Sequence, residues 1–180
     1  MKWWIFSCFL TINTVVVSAQ DRLITKNGTI SFYSKTPLED IEAHTRTSIS
    51  VLDKKTGQIE FIALIKSFTF EKALMQEHFN ENYMESDKFP KSAFKGRIVD
   101  LTKVDFNKDG KYMVTVAGDL TLHGITKTIT TPAIITVQNR NISASADFNV
   151  QLADYKISIP ALVRDKISKT VKIAVNLKYD

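Results

Sequence analysis

The stretch "ISASADFNVQL", residues 142–152, alternates apolar and polar side chains without a break. Its apolar set comprises Ile142, Ala144, Ala146, Phe148, Val150 and Leu152. Alternation with period two places one set of side chains on one face of a β-strand, so this stretch predicts a strand that is buried on one side only. The question for the rest of the chain is whether enough similar strands exist to bury that face.

The same pattern recurs along the sequence and predicts about eight strands. "VKIAVNLKY" (171–179) and "KYMVTVAGDLTL" (111–122) are the clearest repeats, and "IEAHTRTSISV" (41–51) is a weaker one with Ile49 and Val51 on its inward side. The remaining candidates are 29–35, 58–68, 96–106 and 127–137. Short polar turns such as "KKTG", "NKDG" and "QNRN" separate them, as expected for antiparallel connections.

One segment departs from this pattern. "TFEKALMQEHFNENYMES" (69–86) spaces Phe70, Leu74, Met75 and Phe79 as on a helix, behind Thr69 as a candidate N-cap. Eight strands that share an apolar face can close into a barrel or pack as a sandwich, and their length favours the barrel. The predicted fold is therefore all-β with a helical insert, an eight-stranded antiparallel barrel that encloses an apolar interior.

The N-terminal segment predicts export. Residues 1–19 carry Lys2, the apolar run "WWIFSCFLTINTVVV" and small residues before Gln20, which is typical of a cleaved signal peptide. A membrane anchor is the alternative, but the run is short and contains polar residues. The only cysteine, Cys8, lies in this segment, so the mature chain would have no disulfide. We expect a single domain over 20–180, in the periplasm or secreted.

Charge and motifs exclude several function classes. The 24 Lys and Arg residues and 19 Asp and Glu residues give a net charge of +5, spread along the chain without a basic stripe, so no nucleic-acid partner is predicted. "HFNEN" (78–82) lacks the second histidine of a zinc protease motif, and His44 and His123 stand alone. We predict no cofactor, no metal and no enzyme activity. A hydrolase or isomerase acting in the pocket would have His123 as its only candidate.

"DFNKDG" imitates the start of a calcium-binding loop. Asp105, Asn107, Asp109 and Gly110 occupy ligand and turn positions of an EF-hand, but Val116 stands where a bidentate glutamate is required. The flanking sequence alternates as strands do. We therefore interpret the stretch as a hairpin turn whose Asp and Gly accept positive φ angles.

The stretch "GDLTLHGITKTITTPAIITV" (118–137) is a distinctive motif, and "SDKFPKSAFKG" (86–96), the insert 68–84 and "ADFNVQLADYKI" (146–157) accompany it. These four segments resemble the YceI-like family of exported bacterial lipid-binding proteins, and the first of them is similar to the family signature. The resemblance implies a lipocalin-like barrel that holds a polyisoprenoid or similar lipid without catalysing a reaction. The chain departs from the family at Gln151, where many members have Arg, and at Lys156, where many have Gly.

The barrel pattern and the resemblance together give a set of candidate ligand-facing residues, in which aromatic and methionine side chains suit a flexible apolar guest. They are Phe61, Phe68, Phe70, Leu74, Met75, Phe79, Tyr83, Met84, Phe89, Phe94, Tyr112, Val114, Leu120, Leu122, Phe148 and Val150. The predicted partner is a hydrophobic lipid or isoprenoid. A protein-interaction module with a filled barrel is the alternative; an integral outer-membrane barrel is disfavoured by polar outward positions. A homodimer is left open.

Overall fold

The computed structural model describes residues 21–179, so the predicted signal peptide lies outside the described residues. Eight long antiparallel strands close into a barrel, and a two-residue strand, β4, adds to β2. The strands are β1 (Arg22–Lys35), β2 (Asp40–Asp53), β3 (Gln58–Leu64), β4 (Thr69–Phe70), β5 (Lys91–Ile98), β6 (Gly110–Leu122), β7 (Ile125–Gln138), β8 (Asn141–Gln151) and β9 (Thr170–Tyr179). Their order is β1-β9-β8-β7-β6-β5-β3-β2, and pairing of β1 with β2 completes the circle. The predicted fold is confirmed.

The two ends of the barrel differ in their connections. The closed end carries the connections 54–57, 99–109 and 139–140, and the open end carries 36–39, 65–90, 123–124 and 152–169. Inward side chains near the closed end form one packed cluster: Leu52, Ile98, Val114, Val116, Ala133, Ile135, Val137, Ile142, Leu177 and Tyr179. The long connections at the open end are the ones that shape the site described below.

Two hairpins have the tight turns that right-twisted strands favour. His123 and Gly124 between β6 and β7, and Asn139 and Arg140 between β7 and β8, all have positive φ angles, as type I′ turns require. Gly124 is further constrained because a Cβ atom there would lie 2.5 Å from the Phe89 ring. These turns fix the registers of β6, β7 and β8, and so decide which residues face inward.

The helical insert begins later than predicted. Thr69 and Phe70 form β4, where the Thr69 hydroxyl donates to the carbonyl of His44, so Thr69 is not the helix N-cap. The helix α1 (Ala73–His78) follows Lys72 and continues into a π-helical turn over Phe79–Tyr83. None of the helices in residues 21–179 combines the length and apolarity that a membrane-spanning helix requires.

The prediction that Ile49 and Val51 face the barrel interior was wrong. Ile49 is 47% exposed, whereas Ser48, Ser50 and Leu52 are buried. The register of β1 against β2 shifts on both sides of Gly28, and the extra residue in such a bulge moves the following side chains to the opposite face. Because the buried residues at these positions are polar, a search for alternating hydrophobic residues selects the wrong face of the strand.

The prediction of a strand over 96–106 ending in a tight "NKDG" turn was also wrong. The strand β5 ends at Ile98, and residues 99–109 form a longer connection with a short 3₁₀ turn over Leu101–Lys103. Neither Asp109 nor Gly110 has a positive φ angle. The carboxylate of Asp109 instead accepts hydrogen bonds from the backbone amide of Asn139 at 3.1 Å, which ties this connection to the β7–β8 turn.

Candidate functional site

An apolar cavity of about 460 Å³ occupies the barrel interior at the open end. Its walls are the inward faces of the strands, its roof is the segment from Ile65 to Met84, and part of its rim is the connection 152–169. Cavities that enclose small organic ligands in proteins have volumes of about 300–1,000 Å³ and apolar walls with few polar groups. The barrel interior is thus wide enough for a guest at this end.

Four phenylalanines form the most densely aromatic part of the wall. The ring of Phe32 on β1 lies 5.7 Å from Phe68, 5.6 Å from Phe70 and 5.3 Å from Phe79, measured between centroids. Phe79 also contacts Phe68 and Phe70, at 5.9 Å and 5.0 Å. Aromatic pairs in these arrangements stabilise one another beyond their burial, so the cluster holds the roof against β1.

The roof is also anchored on its other side, through His123. The Nε2 atom of His123 lies 3.0 Å from Glu85 Oε1, and its Nδ1 atom lies 3.0 Å from the carbonyl oxygen of Tyr155. A carbonyl and an ionised carboxylate only accept, so both contacts are satisfied when both ring nitrogens donate. The hydrogen bond from His123 is the main reason that the pKa of Glu85 is lowered. His123 therefore joins the insert, the β6–β7 turn and the connection 152–169.

This placement gives His123 a structural role in a turn and an anchor. It is 9% exposed, and its ring packs edge-on against Phe89 at 4.6 Å. Its polar partners leave the ring no free nitrogen to face the cavity. Within residues 21–179, no group of three or more His, Cys, Asp or Glu residues is arranged to hold a metal ion.

A second cavity of about 80 Å³ lies toward the closed end. Phe61, Leu120, Phe148 and Val175 line both cavities and so form the partition between them. The small space coincides with small inward residues, because Ala144 and Ala146 line it and Gly96 faces Gly118 across the paired strands β5 and β6. The ring of Phe94 covers these glycines, where any Cβ atom would collide with it.

The structure brings together most of the residues predicted to face a ligand. The larger cavity is lined by Phe61, Phe68, Phe70, Leu74, Met75, Phe79, Tyr83, Met84, Leu120, Leu122, Phe148 and Val150. Desolvation by the surrounding apolar groups raises the pKa of Tyr83, in keeping with this location. Phe94 lines only the smaller cavity.

Three predicted residues line neither cavity. Phe89 packs outside the roof, on His123 and Gly124. Tyr112 lies at the closed end, where its hydroxyl donates to the carbonyl of Lys108, and Val114 belongs to the packed cluster of that end. The sequence indicated correctly that these residues are inward-facing or aromatic. It did not indicate how far along the barrel axis each of them lies.

The cavity also contains residues that the sequence analysis did not select. On the strands these are Ile30, Phe32, Ser34, Ile41, Ser92, Val171, Ile173 and Val175. The alternation in β1 was sufficient to predict that Ile30, Phe32 and Ser34 face inward. On the connections they are Ile65, Ile157, Val163 and Ile167, for which no periodicity exists, and Leu152, which ends the alternating stretch 142–152. The polar Glu39, Lys72, His78 and Lys166 complete the rim.

A barrel of this topology, with a roofed apolar cavity at one end, is what the YceI-like resemblance implied, and the family model for the YceI-like domain matches residues 22–179. The chain belongs to the YceI-like family. No curated protein matches its sequence. Membership therefore rests on a match that extends over all eight long strands.

Solved structures of the same architecture are similar in fold and distant in sequence. A polyisoprenoid-binding domain from Saccharophagus degradans, implicated in plant cell wall breakdown, is 16% identical with a TM-score of 0.76, covering 89% of this chain and 98% of its own. BcnA from Burkholderia cenocepacia is 15% identical, with a TM-score of 0.68 and coverage of 84% and 95%. A YceI protein from Campylobacter jejuni is 15% identical, with a TM-score of 0.59 and coverage of 77% and 84%.

Proposed function

We propose that this protein binds a hydrophobic, isoprenoid-like lipid in the cavity at the open end of its barrel, without catalysing a reaction. The observation that carries the proposal is the 460 Å³ apolar cavity, whose wall includes the aromatic cluster of Phe32, Phe68, Phe70 and Phe79. The Saccharophagus degradans structure of the same fold, described as a polyisoprenoid-binding domain, supports the same choice of ligand.

The energetics of such a guest favour binding by burial alone. Each methylene group transferred from water to an apolar site contributes about 0.8 kcal/mol, so ten of them contribute about 8 kcal/mol before the costs of association. A flexible chain in a cavity lined by Phe and Met side chains needs few directional contacts. No catalytic group is required for this function, and we propose that the protein carries or sequesters its guest.

The leader-like residues 1–19 support a site of action outside the cytoplasm. We propose that they are removed during export, so that the mature chain begins at Gln20 and binds lipid in the periplasm or after secretion. An exported carrier would shield an apolar molecule from water between membranes or in the surroundings of the cell.

Native mass spectrometry of the protein purified from its host tests this function. We expect a one-to-one adduct on a chain that begins at Gln20, and a prenyl or acyl compound after extraction with organic solvent. The variant Ile173→Trp fills the cavity and should lose the adduct, because Ile173 lines it between β1 and β8. Met113→Trp, at a side chain that is 76% exposed, is the matched control and should keep it.

A bare mass for the native protein, together with no uptake of added farnesol or isoprenoid quinone, would contradict the proposal. The barrel would then have to act through its outer surface or loops. Retention of the adduct by a folded Ile173→Trp variant would place the guest elsewhere on the molecule.

A further inference from the structure

The rim of the cavity is not neutral. Of the ionisable side chains that line it, Lys72 and Lys166 are cationic and Glu39 is anionic, with His78 beside them. The interior below the rim contains no Lys, Arg, Asp or Glu among the lining residues that the structure describes. Charge is therefore confined to the mouth, where a guest that fills the apolar interior would leave its head group.

The two lysines are attached to the same part of the rim. Lys72, at the start of α1, pairs with Glu39 of the β1–β2 connection at 3.6 Å. Lys166 lies two residues before Ser168, whose backbone amide donates to the hydroxyl of Ser34 at 2.9 Å. Ser34 is 3% exposed and lies at the end of β1 next to the same connection. Two separate chain segments thus bring an ammonium group to this side of the mouth.

The charges at the mouth do not cancel. Glu39 is engaged with Lys72, and Lys166 makes no ion pair within residues 21–179. The neighbouring Arg164 and Asp165 do not line the cavity. A cation at the edge of an apolar cavity offers nothing to an entirely apolar guest, and both Lys166 and Lys72 remain exposed to water there. It is favourable for a guest with an anionic end.

We propose that the guest is an anionic amphiphile whose carboxylate or phosphate head group is bound by Lys166 and Lys72, with its tail in the aromatic cavity. This inference rests on the proposed lipid-binding function and specifies its substrate class. The compact ammonium of lysine suits a carboxylate and a phosphate alike, because it acts as a point charge with rotatable donors. Glu39 holds Lys72 in place and also limits how much negative charge the mouth accepts.

Calorimetric titration with matched pairs of ligands tests the head group. Farnesyl phosphate and farnesol share one tail, as do palmitate and hexadecanol, and the two pairs separate phosphate from carboxylate. We expect each anionic member to bind about tenfold more tightly than its alcohol, the effect of a hydrogen bond to a charged group. The advantage should shrink as salt is raised from low to physiological concentration.

Variants that remove a charge test whether the ionisable side chains of the rim cause the preference for an anionic head group. Lys166→Gln should weaken farnesyl phosphate about threefold relative to farnesol, because it removes one of two exposed ammonium groups, and Glu39→Gln should strengthen farnesyl phosphate. Lys111→Gln is the matched control, because Lys111 is an exposed lysine at the closed end of β6. The ratio of the affinities for farnesyl phosphate and farnesol is compared between variants, so that a general change in the cavity does not count as a head-group effect.

The possible results separate the head-group assignment from the proposed lipid-binding function. Equal affinity for the anionic members and their alcohols, or an anionic preference that survives the double change Lys72→Gln and Lys166→Gln, overturns the head-group assignment while lipid binding stands. Failure of all four ligands to bind overturns both.

Discussion

At the closed end of the barrel, the inward residues Leu52, Ile135 and Val137 are each at most 2% exposed and pack against one another. At the open end, inward residues of other strands of the same barrel, such as Leu122 on β6 and Ile173 on β9, surround about 460 Å³ of space. Both sets come from the same alternating pattern. Hydrophobic patterning therefore makes a barrel, but it does not decide whether a given section of that barrel is filled.

What differs is the size of the side chains and what covers them. The inward residues of the closed end are mostly branched aliphatic ones, and they leave only the smaller space of about 80 Å³ beside them. At the open end, large rings line the wall, and the roof contains a six-residue helix with no fully buried residue. Helices this short are only marginally stable by themselves, so the roof depends on Phe79 and on the His123 anchor for its position. The closed end is a packed hydrophobic core, and the open end encloses a cavity of the size of a ligand.

The largest expected effect is that a substitution at the closed end mainly reduces stability, whereas a substitution at the open end mainly reduces ligand binding. Ile135→Ala should lower the free energy of unfolding by about 2–5 kcal/mol, because it leaves a cavity in a packed core. Leu122→Ala only enlarges a cavity that already exists, so it should cost less stability and weaken farnesol binding. Chemical denaturation and calorimetry of both variants measure the two quantities. Equal losses of stability would mean that the open end is as tightly packed as the closed end.

Alkaline unfolding probes the core of the closed end. Burial raises the pKa of Tyr179 to about 12, and the Tyr179 hydroxyl lies 3.0 Å from the Ser50 hydroxyl. A raised pKa in the folded state means that the stabilisation is complete below the unfolded value of about 10 and is lost as the pH rises toward 12. The loss attributable to this group is about 2–3 kcal/mol.

The comparison of Tyr179→Phe with wild type isolates that contribution. The variant should lose less stability between pH 10 and 12, as measured by denaturant unfolding at each pH. Tyr112→Phe, which removes an exposed hydroxyl at the same end, is the control and should keep the wild-type slope. Identical slopes in all three proteins would show that Tyr179 is not buried as described.

A smaller effect is expected at Lys156, in the connection that borders the cavity. Lys156 has φ of 55° and ψ of 29°, a left-handed conformation that costs a residue with a Cβ atom about 1–2 kcal/mol. The greater flexibility of glycine in the unfolded chain offsets part of the gain, so Lys156→Gly should raise stability by about 0.5–1 kcal/mol. Lys169→Gly, without a positive φ, should not stabilise; thermal unfolding of both variants decides the matter.

The smallest effect concerns the anchor of the roof under acid. The lowered pKa of Glu85 means that its contribution to stability is present above its unfolded value near 4.5 and is lost as the pH falls through the folded value. Glu85→Gln should therefore reduce the loss of stability that occurs as the pH falls below about 4.5. Glu71→Gln, at an exposed residue of the same insert, should not. An unchanged acid limb in Glu85→Gln would mean that the contact with His123 does not stabilise the fold.

The sequence predicted the barrel because alternation survives in β6, β8 and β9, where nothing interrupts the pleat. It failed in β2, where the bulge opposite Gly28 exchanged the two faces and put serines inside. It also failed for Val163, Lys166 and Ile167, which reach the cavity from a connection without periodicity. The position of a residue along its strand indicates its depth in the barrel, but only once the registers of the strands are known. Tyr112 and Val114 were predicted at the wrong depth for that reason.

The family resemblance adds a point that the local pattern could not. The resemblance implies glycine at the position of Lys156, and the left-handed backbone found there is a conformation that glycine adopts readily. The chain instead places a lysine in a conformation that disfavours it. The departure at Lys156 is visible in the sequence, and the dihedral angle of the backbone shows what it costs.

Methyl NMR during a titration with farnesol measures most directly where a bound lipid lies in the barrel. We predict chemical-shift changes at Leu122, Val150 and Ile173, which line the open cavity, and none at Ile135, Val137 and Ile142, which fill the closed end. Shifts confined to the closed-end methyl groups or to outward-facing ones, with the cavity methyl groups unmoved, would contradict the central claim that this barrel is a container at one end only.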